Sequence, residues 1–190
     1  MKLQGQKISF TRKIPIAQCN IIDKKTNQNT IATVFEYDCK DKKDIDELEK
    51  IAESGRFEYG HCVYFNAEEK YSSQIYYSDE FGIYTVENPN GETIGICSTR
   101  ENEDETNINF IETEHGKYRY IGRSIIETLG KRTIKNNRKW LFLRNVQDSA
   151  KEIYKRWGFQ PQENTENGKL DMSMSTCEVE SFIGDTPKNN

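Results

Sequence analysis

A tyrosine and two glutamates stand where the chain could use them to move protons. Tyr154 lies four residues before a Gly-Phe pair, and Glu112 and Glu114 close a segment of alternating polarity. A tyrosine hydroxyl can donate a proton, and a carboxylate can accept one when burial raises its pKa. Between these groups runs the basic, glycine-containing segment 117–124. The chain therefore combines candidate acid–base groups with a segment suited to an anionic ligand.

The segment 117–124 opens a predicted helix. The residues that recur at helical spacing are Ile121, Ile125, Ile126, Leu129, Thr133 and Ile134. A helix N-terminus carries unpaired main-chain N–H groups and the positive end of the helix dipole, and together these bind anions. Lys117, Arg119 and Arg123 add positive charge at the same place. The pattern predicts a diphosphate that is held mainly by main-chain amides.

Two strands and a second helix are predicted to position these groups. Ile108 and Phe110 alternate with polar neighbours in a segment that runs from about residue 105 to Glu114, which is typical of a half-buried strand. Further along, residues 139–145 have the composition of a short buried strand, and residues 148–159 are predicted to contain a helix. The order is therefore strand, basic turn, helix, strand and helix.

This stretch resembles the acyl-CoA-binding region of the GNAT superfamily of N-acetyltransferases. In the family's motif Gln/Arg-x-x-Gly-x-Gly/Ala, Lys117 stands at the first position, Tyr120 at the first glycine and Gly122 at the last. The family's ending Asn-x-x-Ala-x-x-x-Tyr-x-x-x-Gly-Phe is matched by Ala150, Tyr154, Gly158 and Phe159, with Gln147 in place of its Asn. The resemblance covers about residues 82–160.

The resemblance implies a fold, an activity and a co-substrate. The implied fold is α+β, a GNAT-like mixed, mostly antiparallel central sheet flanked by helices on both faces. The implied activity is transfer of an acetyl group from acetyl-CoA to a primary amine, directly within a ternary complex. Acetyl-CoA is therefore the expected co-substrate, and no metal is expected.

The resemblance also implies which residues form the site. The residues implied to bind acetyl-CoA are Ile111, Glu112, Thr113, Lys117, Tyr118, Arg119, Tyr120, Ile121, Gly122, Arg123, Ser124, Asn145, Ala150 and Tyr154. Tyr154 is expected to protonate the departing thiolate, and packing against pantetheine is its competing role. Glu114 or Glu112 is expected to act as the general base, with His61 and His115 as rivals on pKa grounds. A main-chain N–H near the end of the preceding strand is expected to polarise the carbonyl.

Length and charge limit the class of protein. The chain has 190 residues and a net charge of −4, and we predict one domain over residues 1–177, followed by a flexible tail over 178–190. The acidic balance argues against a nucleic-acid partner. Basic residues cluster at 131–139 and acidic residues at 101–105, and both groups are predicted to be solvated.

Cysteines and apolar runs bear on location. The five cysteines are widely spaced and include no Cys-x-x-Cys pair, so neither a disulfide framework nor a zinc site is indicated. No apolar run approaches the length that spans a membrane, and residues 1–10 lack the apolar core of a signal peptide. We therefore expect a cytoplasmic protein that does not enter a membrane.

The rest of the chain is predicted to complete the sheet and the acceptor side. Further strands are predicted at 7–16, 30–37, 81–86, 92–99 and 169–177, with an Asn-Gly hairpin turn before residue 92 and an amphipathic helix at 44–54. In the family, the region that includes the aromatic-rich segment 57–77 forms the acceptor side of the cleft. At most two or three of its rings are expected to line a pocket, and the others to pack in the core.

Two alternatives stay open. The first is a binding or regulatory module that keeps the fold without catalysis, which Tyr120 favours because a side chain there narrows the approach of a diphosphate. The second is an acetyltransferase whose acceptor amine belongs to a protein or another macromolecule rather than to a small molecule. The oligomeric state also stays open, with a homodimer among the options.

Overall fold

The computed structural model describes residues 13–72, 80–114, 116–162 and 170–184. The strands are β1 (Ile14–Asp23), β2 (Asn29–Glu36), β3 (Glu80–Glu87), β4 (Thr93–Glu101), β5 (Glu105–Thr113), β6 (Tyr118–Arg119), β7 (Trp140–Val146), β8 (Gln160–Pro161) and β9 (Leu170–Ser175). The helices are α1 (Lys42–Glu53), α2 (Gly60–Ser72), α3 (Ile121–Lys135), α4 (Asp148–Arg156) and α5 (Thr176–Gly184).

The strands form one sheet in the order β6-β1-β2-β3-β4-β5-β7-β9-β8. Neighbouring strands are antiparallel except for β5 and β7, which run parallel. A parallel pair needs a crossover connection, and α3 supplies it between β5 and β7. The prediction of a mixed, mostly antiparallel sheet is confirmed.

Helices cover both faces of this sheet, and a hydrophobic core lies under each set. On one face, Ile45 and Leu48 of α1 pack with Ile96 of β4, together with Val63 of α2. We call this the α1–α2 face. On the other, the core is formed by α3, α5 and the sheet, with Tyr154 and Trp157 packed against it, and we call this the α3–α5 face. The predicted helices on both faces are confirmed.

Local sequence signals explain why α1 and the central hairpin form where predicted. The Asp41 carboxylate accepts the main-chain N–H of Lys43 and caps the start of α1, while Gly55 takes a left-handed φ of 67° just after its end. Strands β3 and β4 flank a turn in which Gly91 has a φ of 77°. Both elements match the sequence prediction.

The N-terminal strand prediction, 7–16, can be compared with the structure only over its last residues, because residues 7–12 lie outside the described residues. Residues 14–16 are strand as predicted, but β1 continues to Asp23, and this continuation was not predicted. Strand β1 pairs with β2 through a hairpin in which the Asp23 carboxylate accepts the N–H groups of Lys25 and Thr26. An Asx turn of this kind carries no Asn-Gly signal, so the sequence prediction missed it.

Two helices were not predicted. Helix α2 occupies much of the aromatic-rich segment 57–77, whose rings have no clear helical period. Helix α5 occupies residues where a flexible tail was expected, and its Val179 and Phe182 are 0 % and 6 % exposed. The prediction of a flexible tail is therefore wrong for residues 178–184, and residues 185–190 lie outside the described part of the chain.

The acidic segment 101–105 is not uniformly solvated. Glu101 is 1 % exposed, and its carboxylate lies 2.7 Å from Nη1 of Arg138 and 3.3 Å from Nε of Arg132. Two residues of the basic cluster 131–139 therefore neutralise a buried carboxylate, which would be costly without them. The prediction of solvated clusters is wrong at these three residues.

Candidate functional site

The sheet opens in its middle, between β5 and β7. The ladder between these strands extends from Glu105 and Trp140 to Ile108 and Leu143, although β5 continues to Thr113 and β7 to Val146. We call the space between residues 109–113 of β5 and 144–146 of β7 the strand gap. Main-chain groups that border such a gap can bind a ligand instead of a neighbouring strand.

A β-bulge bends β5 where the gap begins. Ser98 of β4 pairs with Phe110 and Thr99 with Ile108, so Asn109 is the extra residue. One extra residue turns the side chains that follow to the other face. Ile108 accordingly packs in the α3–α5 core and Phe110 in the α1–α2 core. The sequence pattern predicted that these two side chains share a face, and that prediction is wrong because of the bulge.

The N-terminus of α3 lies beside the gap. A Cβ added to Gly122 would lie 3.8 Å from Cγ2 of Thr113 and 3.9 Å from the Trp157 ring, so the first turn of α3 adjoins the end of β5 and the end of α4. Tyr120 precedes the helix with φ 72° and ψ 7°, the left-handed conformation. A non-glycine residue adopts this conformation at a cost, and such strain is common at functional sites.

Lys117 and Arg119 both have partners within the fold. The Lys117 ammonium lies 3.4 Å from Oε2 of Glu92, and this hydrogen bond raises the pKa of Lys117. Arg119 donates a hydrogen bond to the side-chain oxygen of Asn27 in the β1–β2 hairpin. Both side chains are exposed. They can exchange these partners for an incoming phosphate without breaking the core.

Arg123 is bound more firmly. Its Nε lies 2.7 Å from Oε1 of Glu127, and its Nη2 donates to the main-chain oxygen of Phe182 at 3.0 Å. The guanidinium also stacks on the Phe182 ring at 4.5 Å, where a cation–π contact is favourable. Arg123 therefore ties α3 to α5, and its charge is matched within the fold.

The other residues implied to bind acetyl-CoA fall into two groups. Tyr118, Ile121 and Ser124 have buried side chains, so they can offer only main-chain groups to a ligand. Ile111 and Thr113, which border the gap, and Ala150 in α4 are half-buried. Asn145 is exposed with a left-handed φ of 52°, and its N–H donates to the Asp171 carboxylate at 2.9 Å.

Tyr154 stands on the α3–α5 face. Its ring packs edge-on against Trp157 at 5.6 Å and Phe159 at 5.9 Å. Burial, and to a smaller extent the nearby Cys97 thiol, raises the pKa of Tyr154 to about 12. Burial likewise raises the pKa of the Cys97 thiol. The hydroxyl therefore stays protonated at neutral pH, in surroundings that make a thiolate more basic than in water.

Glu112 has a structural partner in the loop between α1 and α2. Its two carboxylate oxygens accept the main-chain N–H groups of Glu58 at 2.7 Å and Tyr59 at 2.8 Å. The carboxylate therefore anchors that loop to β5. Glu114 is half-buried just past the end of β5, and its main-chain N–H donates to the carbonyl of Ile94 at 2.8 Å.

The two histidines differ in what the structure shows. His61 is exposed on α2, with its ring 6.4 Å from the ring of Phe65. His115 lies outside the described residues.

The sequence also left open which rings of the segment 57–77 face the gap. Of these, Tyr59 stacks on Phe110 of β5 at 5.9 Å, whereas Phe65 is 59 % exposed.

Sequence reasoning missed the contact between Tyr59 and Gln147. Gln147 precedes α4, and its side-chain Nε2 donates to the Tyr59 hydroxyl at 2.8 Å. Sequence motifs gave Gln147 only the position of the family's asparagine. No local signal connects two residues that are 88 positions apart, so the contact could be found only in the folded chain.

Solved structures of similar fold share this architecture. A GNAT-family acetyltransferase from Staphylococcus aureus is 13% identical, with a TM-score of 0.54, and the match covers 76% of this chain and 99% of that one. Spermidine/spermine N-acetyltransferase from Vibrio cholerae is 15% identical, with a TM-score of 0.54 and coverage of 79% and 95%. The ribosomal-protein-S18-alanine N-acetyltransferase of Escherichia coli is 16% identical, with a TM-score of 0.51 and coverage of 76% and 94%.

These likenesses show the fold: the chain has the fold of the GNAT N-acetyltransferases. No protein-family model and no curated protein matches the sequence. In the described part of the chain, no helix is both long enough and apolar enough to cross a membrane.

Proposed function

We propose that this protein is an N-acetyltransferase that moves an acetyl group from acetyl-CoA to a primary amine by direct transfer in a ternary complex. The observation that carries the proposal is the strand gap between β5 and β7, with the N-terminus of α3 beside it. A gap bordered by main-chain N–H groups suits a thioester carbonyl, and a helix N-terminus suits the diphosphate of a coenzyme.

The transfer forms one bond and breaks one. The amine nitrogen attacks the thioester carbonyl carbon, the C–N bond forms, the C–S bond breaks, and the sulfur leaves as a thiolate. A main-chain N–H near Glu112 or Thr113 stabilises the negative charge on the carbonyl oxygen. Tyr154 gives its proton to the thiolate, or shares it through a hydrogen bond, because a buried thiolate is a stronger base than a solvated one.

The ammonium of the acceptor must lose a proton before attack. We assign this step to Glu114, directly or through water, because both oxygens of Glu112 already accept main-chain N–H groups. Glu112 then serves as a positioning residue for the loop between α1 and α2. A direct role for Glu112 would require that loop to be released.

The acceptor is proposed by class only. The structural neighbours include an enzyme named for spermidine and spermine and another named for a ribosomal-protein alanine. We therefore propose a primary amine on a small molecule, with a protein amine as the alternative. We also propose a cytoplasmic location, in keeping with five cysteines that are all free thiols.

A second candidate is a binding module without catalysis. The observation that favours it is the left-handed Tyr120, whose side chain is 38 % exposed beside the first turn of α3. Its ring can take up space that a coenzyme diphosphate requires. Under this alternative, the chain would bind acetyl-CoA weakly or not at all.

Calorimetry with acetyl-CoA distinguishes the two candidates. We expect a dissociation constant in the micromolar range, and release of CoA thiol when a panel of primary amines is added. The matched variant is Gly122→Glu, which places a carboxylate against the predicted diphosphate site and should abolish binding while the domain stays folded. Absence of heat and of thermal stabilisation at millimolar acetyl-CoA would reject the enzyme.

A further inference from the structure

The strand gap has two faces, and a different tyrosine stands at each. Tyr154 packs with the α3–α5 core, whereas Tyr59 stacks on Phe110, which belongs to the α1–α2 core. Under the proposed function, a coenzyme whose diphosphate lies at α3 enters from the α3–α5 face. The amine must then reach the carbonyl from the α1–α2 face, where Tyr59 lies.

Tyr59 spans the gap on this face. Its ring stacks on Phe110 of β5 at 5.9 Å with an interplanar angle of 26°. Its hydroxyl accepts the side-chain N–H of Gln147, which follows the end of β7, at 2.8 Å. Because Phe110 and Gln147 belong to opposite sides of the gap, one side chain joins the two sides.

The backbone of Tyr59 is also held in place. Glu112 accepts the N–H groups of residues 58 and 59 with its two carboxylate oxygens. Hydrogen bonds to a charged group are stronger than those between neutral groups, so the loop is well anchored to β5. On the other side of Tyr59, its carbonyl accepts the N–H of Val63 in the first turn of α2. Tyr59 is therefore held by its ring, its hydroxyl and its main chain, and it acts as a rigid wall rather than as a flexible lid.

We propose that Tyr59 is the specificity-determining residue on the acceptor side of the gap, with Gln147 holding its hydroxyl in place. The inference rests on the proposed function and goes further, because it selects the class of acceptor. A ring held at this place narrows the acceptor side of the gap, so we expect an unbranched primary amine as acceptor and not one that is branched or ringed next to the nitrogen. The tyrosine hydroxyl accepts the side-chain N–H of Gln147, and this hydrogen bond keeps the ring across the gap.

The test uses binding rather than turnover, because the natural acceptor is unidentified. The probes are two amides of S-carboxymethyl-CoA, one made with n-hexylamine and one with cyclohexylamine. Both carry six carbons on the acceptor side, but the cyclohexyl group is wide next to the nitrogen, whereas the hexyl chain is narrow there. Acetyl-CoA, which lacks an acceptor group, serves as the reference ligand for each variant.

For the parent chain, we expect the hexyl amide to bind at least about tenfold more tightly than the cyclohexyl amide. Tyr59→Ala should reduce this ratio to about threefold or less by admitting the ring, with acetyl-CoA affinity unchanged. Tyr59→Phe and Gln147→Leu each remove the hydrogen bond and keep the aromatic ring, so both should give the same intermediate ratio. The matched control is Tyr64→Phe, which removes a hydroxyl on α2 that contacts Glu49.

The outcomes separate this inference from the proposed function. If Tyr59→Ala binds acetyl-CoA normally and keeps the parent ratio, the assignment of Tyr59 is overturned and the enzyme proposal stands. If the parent chain binds neither acetyl-CoA nor the conjugates, the proposed function fails and this inference fails with it. Should Tyr59→Ala not fold, the Phe and Leu variants decide, and an unchanged ratio in both also overturns the inference.

Discussion

The left-handed conformation of Tyr120 can be tested by its effect on stability. The left-handed conformation costs a residue with a side chain about 1–2 kcal/mol, whereas it costs glycine almost nothing. Glycine in turn costs about 0.4–1 kcal/mol relative to alanine, because the unfolded chain gains freedom. The two terms differ by about 1 kcal/mol, so Tyr120→Gly should be more stable than Tyr120→Ala by that amount.

The comparison of these two variants isolates the backbone, since both remove the tyrosine ring. Urea unfolding followed by circular dichroism measures it directly, and thermal unfolding should show a difference of about 2–4 °C for a chain of this size. Lys131, exposed in the middle of α3, provides the control position. There, Lys131→Gly should be less stable than Lys131→Ala by about 1 kcal/mol, the opposite sign.

The result that refutes the reasoning is equal or greater stability of the alanine variant at position 120. That result would mean that the chain before α3 does not hold a left-handed residue in solution.

The same variants also test the role of the Tyr120 ring in coenzyme binding. If the tyrosine ring narrows the approach of the diphosphate, both should bind acetyl-CoA more tightly than the parent, and a loss of affinity in both would show that the ring contributes to binding.

Three further expectations concern the gap and the helix packing. Tyr154→Phe should lower kcat by roughly 10²- to 10⁴-fold with little change in acetyl-CoA affinity, and full activity with any accepted amine would remove Tyr154 from the proton-transfer step. Glu112→Gln keeps only one acceptor oxygen for the two main-chain N–H groups, so it should lower the free energy of unfolding by about 1–2 kcal/mol. Because Glu114 is the proposed base, the fall of kcat/KM at acidic pH should persist in this variant. If that fall disappears, Glu112 is the base. Gly130→Ala should lower the free energy of unfolding, measured by urea denaturation, by about 1–3 kcal/mol, because the added Cβ would lie 2.6 Å from Cγ1 of Val179. The second substitution Val179→Ala should restore most of this loss. An unchanged free energy of unfolding in Gly130→Ala would contradict the observed packing of α5 on α3.

The central part of the fold could be predicted because its signals are local. Strands β3, β4 and β5, helix α3 and strand β7 each have the period or the turn residues of their type, and all are observed close to the predicted bounds. Helix α2 was missed because the aromatic residues of the whole segment 57–77 do not recur at a helical period. Helix α5 is short and was predicted as tail, because its packing partners Gly130 and Arg123 lie about fifty residues earlier in the chain.

The candidate site was predictable in its outline but not in its contacts. A helix N-terminus after a basic turn can be recognised from sequence, because composition and period mark it. The partners of its charges cannot. Whether Arg123 faces a ligand or Phe182 depends on a helix far along the chain, and whether Glu112 is a base or an anchor depends on where the loop before α2 is placed.

The extra residue at Asn109 has a consequence for how this chain can change over time. Because Ser98 pairs with Phe110 and Thr99 with Ile108, deletion of Asn109 would remove the bulge and leave the pairing of β5 with β4 unchanged. The Phe110 ring and the Glu112 carboxylate would stay on their face, and both could keep their contacts with Tyr59. Deletion of Ile111, where there is no extra residue to lose, would instead turn Glu112 to the other face and remove its hydrogen bonds to the loop before α2. Strand β5 can therefore lose a residue at position 109 in the course of descent, but not between Phe110 and Glu112.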